Sequence, residues 1–438
     1  MHDERMKGFR PYVGNLERLV ESLLKKRCAI ENHRRISESL NGQPAAELRS
    51  SVPLANRRAD GVFFTGAKLA RRVASKLISE IPASAVITDV GCGAGDLLLA
   101  CASKLPLGSD LDRTLQIWGR HLMGFDIHPE FIRATKERLV LLAISRGVKV
   151  QNASLPEITE IFPMVREQDF LSCPREVAKA SHIIINPPYN ELIASSDCAW
   201  GSRKVSAAAV FMDACISNAS PGTRICAILP DVLRSGSNYE KWRQRIESLS
   251  ERVEITTCGQ FDKWTDIHVF ILKLEKDRND KKGKVVWWKS LRQAHNGKVE
   301  DYFDVHVGPV VPHRHRKEGR SVAYVHANSL PPWEKVERIN EHRRFSGTLF
   351  EPPFVVVRRT SRPGEKRAVG TIIVGNRKVA VENHLIALLP NRKTITECKE
   401  LLRVLKSPET DKWLDERIRC RHLTVQSIKG LPWWGTKL

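Results

Sequence analysis

The segment best suited to chemistry is a short apolar strand, HIII, that ends in Asn186-Pro187-Pro188-Tyr189. Proline cannot continue a strand's hydrogen-bond ladder, so the chain must turn after the strand. The Asn186 side-chain oxygen and the Pro187 carbonyl are two acceptors for the N–H groups of an aromatic amine. Such acceptors stabilise the positive charge that develops as the amine attacks a methyl donor. Tyr189 offers a flat face for an extruded base. The alternative is a turn that merely ends a buried strand.

A glycine-rich turn, Asp89-Val-Gly91-Cys-Gly93-Ala-Gly95, follows another apolar strand. Glycines let the backbone approach a ligand closely. A nicotinamide fingerprint would need glycine where this chain has Asp96, so that cofactor is disfavoured. The turn instead resembles the first motif of class I methyltransferases, which faces the amino-acid end of S-adenosylmethionine. For the glycines alone, another nucleotide binder or a purely structural turn remains an alternative.

Two acidic residues follow the next expected strands. Asp126, with Ile127 after it, ends HLMGFDI, where a carboxylate can accept both hydroxyls of a ribose. Asp169 ends a third expected strand, where it could accept from the cofactor's adenine amine while Phe170 packs on the ring. Taken singly, either acid could be an ordinary turn aspartate.

The elements that must position these residues alternate between strands and helices. Strands are predicted at AVITDV, HLMGFDI, HIIIN, RICAIL and HVFILKL, with amphipathic helices between several of them. This alternation predicts a doubly wound, mostly parallel α/β sheet that binds ligands at the carboxyl ends of its strands. We predict a helical segment over 1–60, a catalytic domain over 61–275, a polar linker over 276–284 and a mixed α+β domain over 285–438.

The charge of the chain is uneven. Its net charge is +21, and residues 276–438 carry 34 Lys and Arg against 18 Asp and Glu, a net +16. Counterion release favours a polyanionic partner for such a segment, although a solvated basic surface is an equal alternative. The sequence has no apolar run long enough for a membrane helix and no apolar leader. Ten cysteines without a CxxC pair indicate a reduced, cytoplasmic protein without a zinc site.

Together, the glycine turn and Asn-Pro-Pro-Tyr resemble the γ-type N6-adenine DNA methyltransferases, in which the cofactor motif precedes the tetrapeptide. The resemblance spans most of residues 61–274 and implies a class I methyltransferase fold, S-adenosylmethionine as cofactor and a flipped-out adenine as substrate. It also implies that Thr65 contacts the methionine part of the cofactor. Phe261 would stack on the base, a role that the nearby Trp264 could also take. Gly66 stands where the family usually has proline.

The C-terminal third resembles, less specifically, the target-recognition domains of single-chain restriction-modification enzymes, through EPPFVVVRRTS, ENHLIALLP and RHLTVQSIKGLP. This resemblance implies double-stranded DNA as partner. The candidate phosphate and base contacts are Arg358, Arg359, Lys366, Arg367, Arg377 and Lys378. The basic run at residues 313–317 has the same ambiguity between contact and solvated loop. No segment matches a nuclease motif, so we expect a methyltransferase without cleavage activity and leave a separate restriction endonuclease open as a partner.

Two other functions are consistent with part of this evidence. Asn-Pro-Pro-Tyr also serves ribosomal RNA adenine methyltransferases and enzymes that methylate a glutamine amide in release factors. Their substrate domains are usually small and N-terminal, unlike the basic C-terminal segment here. A non-enzymatic DNA-specificity subunit with a vestigial cofactor fold would not need the intact tetrapeptide. The recognition sequence and the oligomeric state have no signature in the sequence.

Overall fold

The computed structural model describes residues 5–25, 30–78, 81–150, 158–262, 264–278, 285–288, 296–316 and 318–436. The chain divides into two compact units. The first is Met1–Leu233, Glu240–Phe261 and Val269–Val286; the second is Arg234–Tyr239, Asp262–His268 and Trp287–Leu438. Most of the predicted linker, residues 279–284, and Lys317 of the basic run lie outside the described residues.

Helices flank the sheet of the first unit and several begin at recognisable start signals. The helices up to residue 250 are α1 (Arg10–Leu24), α2 (Ile30–Leu40), α3 (Gln43–Ser51), α4 (Leu54–Ala59), α5 (Ala67–Leu77), α6 (Asp96–Ala102), α7 (Leu111–His121), α8 (Pro129–Ser145), α9 (Ile158–Ile161), α10 (Ala207–Asn218), α11 (Asp231–Ser235) and α12 (Glu240–Ser248). Pro129 begins α8 because its fixed φ suits a first helical position. Gly95, at φ 87°, precedes α6 and turns the chain from strand to helix.

A mostly parallel sheet forms the centre of the first unit. The strands up to residue 276 are β1 (Ile87–Asp89), β2 (Leu122–Asp126), β3 (Val165–Glu167), β4 (His182–Ile185), β5 (Glu191–Ile193), β6 (Lys204–Ser206), β7 (Arg224–Pro230), β8 (Ser250–Asp262) and β9 (Thr265–Lys276). Among the described residues, seven form one sheet in the order β3-β2-β1-β4-β7-β9-β8. The first five are parallel and β9 is antiparallel to β7. Ile183, Ile184 and Ile185 are fully buried, as expected for a central strand covered on both faces. The predicted α/β sheet is confirmed, and each of the five predicted strands overlaps an observed one.

The second unit is a mixed α+β structure. Its strands are β10 (Phe303–Val307), β11 (Arg320–Val325), β12 (Lys335–Val336), β13 (His342–Phe345), β14 (Phe354–Arg358), β15 (Gly370–Ile373), β16 (Val379–Val381) and β17 (Leu385–Pro390), and its later helices are α13 (Ile395–Lys406), α14 (Pro408–Arg417) and α15 (Val425–Lys429). They form a five-stranded sheet, β10-β17-β14-β15-β12, and a three-stranded sheet, β13-β11-β16. Alternate residues of β14 enter different cores: Val355 and Val357 pack with the helices, and Phe354 and Val356 with the second sheet.

No helix in the described part of the chain is both long and apolar enough to cross a membrane. The nine cysteines in the described ranges are free thiols.

Candidate active site

The carboxyl ends of neighbouring parallel strands bring the predicted site residues together. β1 ends at Asp89, β2 ends at Asp126 and β4 ends immediately before Asn186. A cleft with about 590 Å³ of empty space, partly open to solvent, lies at this edge of the sheet. Eight of the predicted residues line the cleft: Gly91, Gly93, Asp126, Ile127, Asp169, Phe170, Asn186 and Pro188.

The remaining predicted residues of the first unit are not among those that line the cleft: Thr65, Asp89, Gly95, Pro187, Tyr189 and Phe261. The lining also contains residues to which the sequence assigned no role of their own: Asp60, Gly61, Val62, Phe63, Phe64, Val90, His128, Phe131, Gln168 and Phe211. Five of these, residues 60–64, directly precede Thr65. The segment for which the sequence analysis named only Thr65 therefore forms a continuous part of the lining. The aromatic pair before Thr65 was the available signal for it.

Two glycines of the turn, Gly91 and Gly93, differ in what a side chain at their position would meet. Gly93 has φ 51°, and a Cβ on it would lie 2.9 Å from the Phe64 ring. Its N–H donates to Asp126 Oδ2 at 2.9 Å, which fixes the turn to the end of β2. A Cβ on Gly91 would meet no protein atom within 4 Å. The space in front of Gly91 is therefore open to a ligand that approaches the backbone.

The end of β2 has the features of a nucleoside-binding position. Asp126 accepts from Gly93 N–H through one oxygen and from His128 N–H, at 3.0 Å, through the other. Burial raises the pKa of Asp126, and the nearby His128 and the backbone donors oppose that rise. A carboxylate has about four acceptor sites, so Asp126 keeps capacity for another donor. Ile127 is 38% exposed and Phe170 is 1% exposed, and both line the cleft. This combination suits a ribose beside an apolar ring.

Two other acidic residues bond to the local backbone. Asp169 accepts from Leu171 N–H at 3.0 Å and from the Ser172 hydroxyl at 2.9 Å, and so caps a short turn. Asp89 is buried, with its carboxylate 3.4 Å from Gly91 N–H. Burial raises the pKa of Asp89 well above its usual range, and the Gly91 N–H opposes that rise. Both residues hold the turns in which they lie.

The amide group of Asn186 is oriented by its partners. Its Nδ2 donates to the Phe63 carbonyl at 3.0 Å and to the Thr65 hydroxyl at 3.1 Å. The Phe63 carbonyl can only accept, so it must face the NH₂ group of the amide. The Tyr189 hydroxyl donates to Asn186 Oδ1 at 2.7 Å, and burial raises the pKa of that phenol well above its ordinary value. The Asn186 oxygen therefore keeps one lone pair for an incoming donor.

The structure gives Thr65 a partner that the resemblance did not suggest. The resemblance assigns Thr65 to the methionine part of the cofactor, whereas its hydroxyl accepts a hydrogen bond from Asn186. The next residue, Gly66, donates through its N–H to Asp96 Oδ2 at 2.7 Å. Asp96 in turn pairs with Arg138, which is fully buried, at 2.9 Å. In the sequence Asp96 served only to exclude a nicotinamide fingerprint; in the structure it fixes the segment that orients Asn186.

Aromatic rings surround Tyr189. The Phe63 ring is stacked with it at a centroid distance of 6.2 Å and an interplanar angle of 25°. The Phe261 ring meets it edge-on at 5.7 Å and 80°. The alternative stacking residue, Trp264, is 64% exposed. Phe261 therefore has the geometry of a second wall beside Tyr189.

A glycine that precedes Phe63 in the chain packs closely against the tetrapeptide. Gly61 has φ 67°, and a Cβ on it would lie 2.8 Å from both Pro188 Cβ and Tyr189 N. The Gly61 carbonyl accepts from Tyr189 N–H at 3.4 Å. No larger residue fits at this position without displacing the tetrapeptide.

One of the predicted DNA contacts has to be corrected. Arg367 is 0% exposed. Its guanidinium donates to Asp415 at 2.7 Å, to the Ser361 hydroxyl at 3.0 Å and to the Cys420 carbonyl at 2.8 Å. No surface of Arg367 remains for a phosphate, so its role is to hold the loop and α14 together.

The other predicted DNA contacts differ in their availability. Arg358 and Arg359 are partly buried and donate to backbone carbonyl groups. Lys366 is exposed and pairs with a carboxylate. Arg377 and Lys378 are exposed in the connection from β15 to β16, and their side chains make no hydrogen bond or ion pair within the described ranges. These two are the most accessible of the six to an external anion.

Across the residues that the structure describes, no group of three or more His, Cys, Asp or Glu side chains is arranged to hold a metal ion.

Comparison with known proteins adds a family and a fold. A family model described as N-6 DNA methylase matches residues 53–303, more than half of the chain. The type IIL restriction-modification enzyme MmeI, solved with DNA, is similar with a TM-score of 0.54 and 10% identity, over 88% of this chain and 70% of that one. The type IIG restriction endonuclease BpuSI has a TM-score of 0.43 and 14% identity, over 90% of this chain and 61% of that one. This chain thus spans about three fifths of the length of BpuSI. No curated protein matches the sequence.

Proposed function

The chain belongs to the N-6 DNA methylase family, and from this premise we propose that it methylates the N6 amino group of adenine in double-stranded DNA. The observation that carries the proposal is the fixed amide of Asn186, whose oxygen keeps a free lone pair at the cleft. We assign methyl transfer to residues 61–275 and DNA recognition to residues 285–438. A restriction-modification system, a separate restriction endonuclease and a cytoplasmic location are parts of the same proposal.

Asn186 activates the amine by accepting from it. The lone pair of an exocyclic adenine amine is delocalised into the ring, so the amine is a poor nucleophile. Asn186 Oδ1 and the Pro187 carbonyl accept hydrogen bonds from its two N–H groups. These hydrogen bonds draw the nitrogen toward tetrahedral geometry. The same two oxygens stabilise the positive charge that grows on the nitrogen, by the electrostatic effect of preorganised dipoles. No strong base is needed, because the proton leaves readily after transfer.

The aromatic rings hold the extruded base. A base must leave the DNA stack to reach an enclosed site, and its unstacking costs a few kcal/mol. Stacking on Tyr189 offsets part of that cost, with Phe63 behind that ring and Phe261 at its edge. Positioning of the amine then supplies much of the remaining rate enhancement.

The cofactor is S-adenosyl-L-methionine, which supplies an electrophilic methyl group when bound. The open space in front of Gly91 fits the approach of its amino-acid end to the backbone. Asp126 retains acceptor capacity for the ribose hydroxyls, and Ile127 presents an exposed apolar face. Asp169 and Phe170 are assigned to the adenine end of the cofactor.

The proposal is tested by transfer of labelled methyl groups. We expect label in duplex DNA and none in ribosomal RNA or release factor. Label only in the latter two would overturn the assignment of the substrate. Sequencing of genomic DNA from expressing cells, with detection of modified bases, should show N6-methyladenine within one sequence context. Incubation of the purified chain with unmethylated DNA should leave both strands uncut.

A further inference from the structure

The three-stranded sheet of the second unit gathers cations at one end. β11 begins at Arg320, and its antiparallel pairing with β13 places Arg343 and Arg344 beside its first half. β16 runs parallel to β11 and pairs with its second half. The two residues that precede β16, Arg377 and Lys378, therefore lie toward the same end of the sheet. Three chain segments that are distant in sequence thus place cations toward the same end of this sheet.

The loop before β11 is tied to this end of the sheet. Arg343 Nη2 donates to the His315 carbonyl at 2.9 Å, and Arg344 Nε donates to the Gly319 carbonyl at 3.1 Å. The Arg343 guanidinium also lies 5.7 Å from the Tyr324 ring centre. These contacts fix the backbone of the loop, which carries two further exposed arginines.

We name this cluster the basic edge; its members are Arg314, Arg316, Arg320, Arg343, Arg344, Arg377 and Lys378. All are exposed except Arg343, which is partly buried. The described residues 313–316, 318–320, 342–345 and 376–378 contain these seven cations and one carboxylate, Glu318, which pairs with Arg316 at 3.9 Å. Like charges at such density repel one another, so an anionic partner lowers the free energy of the arrangement.

We propose that the basic edge binds the phosphate backbone of duplex DNA. The inference rests on the proposed function and names the surface of the second unit that contacts the substrate. Six of the seven cations are arginines, whose planar guanidinium group can bond two phosphate oxygens at once. The earlier candidates Arg358 and Arg359 are partly buried and Lys366 pairs with a carboxylate, whereas Arg377 and Lys378 are exposed and make no hydrogen bond or ion pair within the described ranges.

The test compares two double variants with the same loss of charge. Arg377→Gln with Lys378→Gln removes two members of the basic edge. Lys399→Gln with Lys412→Gln removes two exposed cations from α13 and α14 of the same unit. The measurement is the affinity for a duplex carrying the target site, titrated from low to high salt in the full chain. Each lost phosphate contact should make the slope of log K against log salt shallower by about 0.9.

We expect a slope shallower by about 1.8 and an affinity lower on the order of tenfold at physiological salt for the first double variant. The control pair should match the wild type. A second pair from the basic edge, Arg314→Gln with Arg320→Gln, repeats the test in another chain segment. A local folding defect in the first double variant would then not decide the result. If both edge pairs behave like the control while the wild type methylates DNA, the inference is overturned. If the wild type neither binds nor methylates duplex DNA, the proposed function itself fails.

Discussion

In the proposed mechanism Asn186 acts through its orientation, because an amide carries no charge and cannot remove a proton. Its NH₂ group is used by Phe63 and Thr65, and its oxygen is shared with Tyr189. We expect Asn186→Ala to keep cofactor and DNA binding while kcat falls by about 10²-fold or more, as for the loss of one preorganised dipole. Single-turnover methylation with separate binding titrations measures this. Unchanged transfer would refute the mechanism.

Thr65→Val distinguishes two roles of the threonine hydroxyl. If Thr65 acts through Asn186, loss of the hydroxyl leaves one NH₂ hydrogen without its acceptor and loosens the amide. We then expect kcat to fall about tenfold, which corresponds to about 1.4 kcal/mol, with KM for the cofactor unchanged. A raised KM for the cofactor with kcat unchanged would favour direct contact with the cofactor. Thr65→Ser, which keeps the hydroxyl, should retain near wild-type kcat.

Gly91 is the position where a single methyl group tests the cofactor site. Because a Cβ there would meet no protein atom within 4 Å, Gly91→Ala should fold normally while its methyl occupies space needed by the ligand. We expect loss of cofactor binding by calorimetry and loss of the thermal stabilisation that the cofactor gives the wild type. Gly14→Ala, within α1, is the matched control and should bind the cofactor normally. Cofactor binding by Gly91→Ala at wild-type affinity would contradict the assignment.

At the scale of elements, the sequence predicts what depends on local pattern. β4 is predictable because a continuous run of isoleucines favours a buried strand and the prolines fix where it ends. The edge that carries the site follows from the alternation of strands and helices, since parallel strands share their carboxyl ends. The glycine turn and Asp126 lie at that edge for the same reason.

Links between distant segments are not predictable in this way. The Gly66–Asp96 bond joins residues 30 apart, and the bond from Arg367 to Asp415 joins residues 48 apart. Both depend on how helices pack, which no local pattern encodes. The prediction for Arg367 was wrong because arginine is rarely buried unless it is paired, and its partner Asp415 lies on α14, far along the chain. The sequence indicated Arg377, Lys378 and the run at residues 313–317 as separate candidates. Their place beside Arg343 and Arg344 at one end of a sheet was not predictable, because these residues come from three separate segments.

Where α8 packs against α1, a buried carboxylate makes the free energy of unfolding depend on pH. Glu137 on α8 is 5% exposed, and its Oε2 has no hydrogen bond among the described residues. Burial raises the pKa of Glu137 to about 8, with Glu17 and Glu21 of α1 adding to the rise and Arg133 opposing it. Between the unfolded value, about 4.5, and 8 the native state binds a proton that the unfolded state has lost. The free energy of unfolding therefore falls as pH rises through this window and stays lower above it.

Glu137→Gln should remove that pH dependence. An uncharged amide avoids the cost of a buried carboxylate, so we expect stabilisation on the order of a few kcal/mol at pH 8.5 and little change at pH 5. Denaturant unfolding at the two pH values measures the difference. The exposed Glu240→Gln on α12 is the control for loss of one carboxylate. Equal effects of the two substitutions at pH 8.5 would contradict the burial argument.

At the scale of the whole molecule, the charge is divided unequally along the chain. Residues 276–438 hold a net +16 of the total +21, while the residues proposed to bind the cofactor lie in the first unit. The two proposed ligands should therefore respond differently to ionic strength. Duplex DNA binding releases condensed counterions for each neutralised phosphate, whereas a small ligand in a partly buried cleft is little affected by screening.

Steady-state kinetics with both substrates varied should separate these responses. Between 50 and 200 mM salt we expect KM for DNA to rise by about 10³-fold if six phosphates are contacted, with KM for the cofactor nearly constant. The kcat at saturating DNA should change little, because Asn186 and its partners act within the cleft on a base already bound. A KM for DNA that stays flat over this range would show that the basic residues are a solvated surface. A parallel rise of both KM values would instead indicate that salt perturbs the first unit itself, so that the excess charge is not what binds DNA.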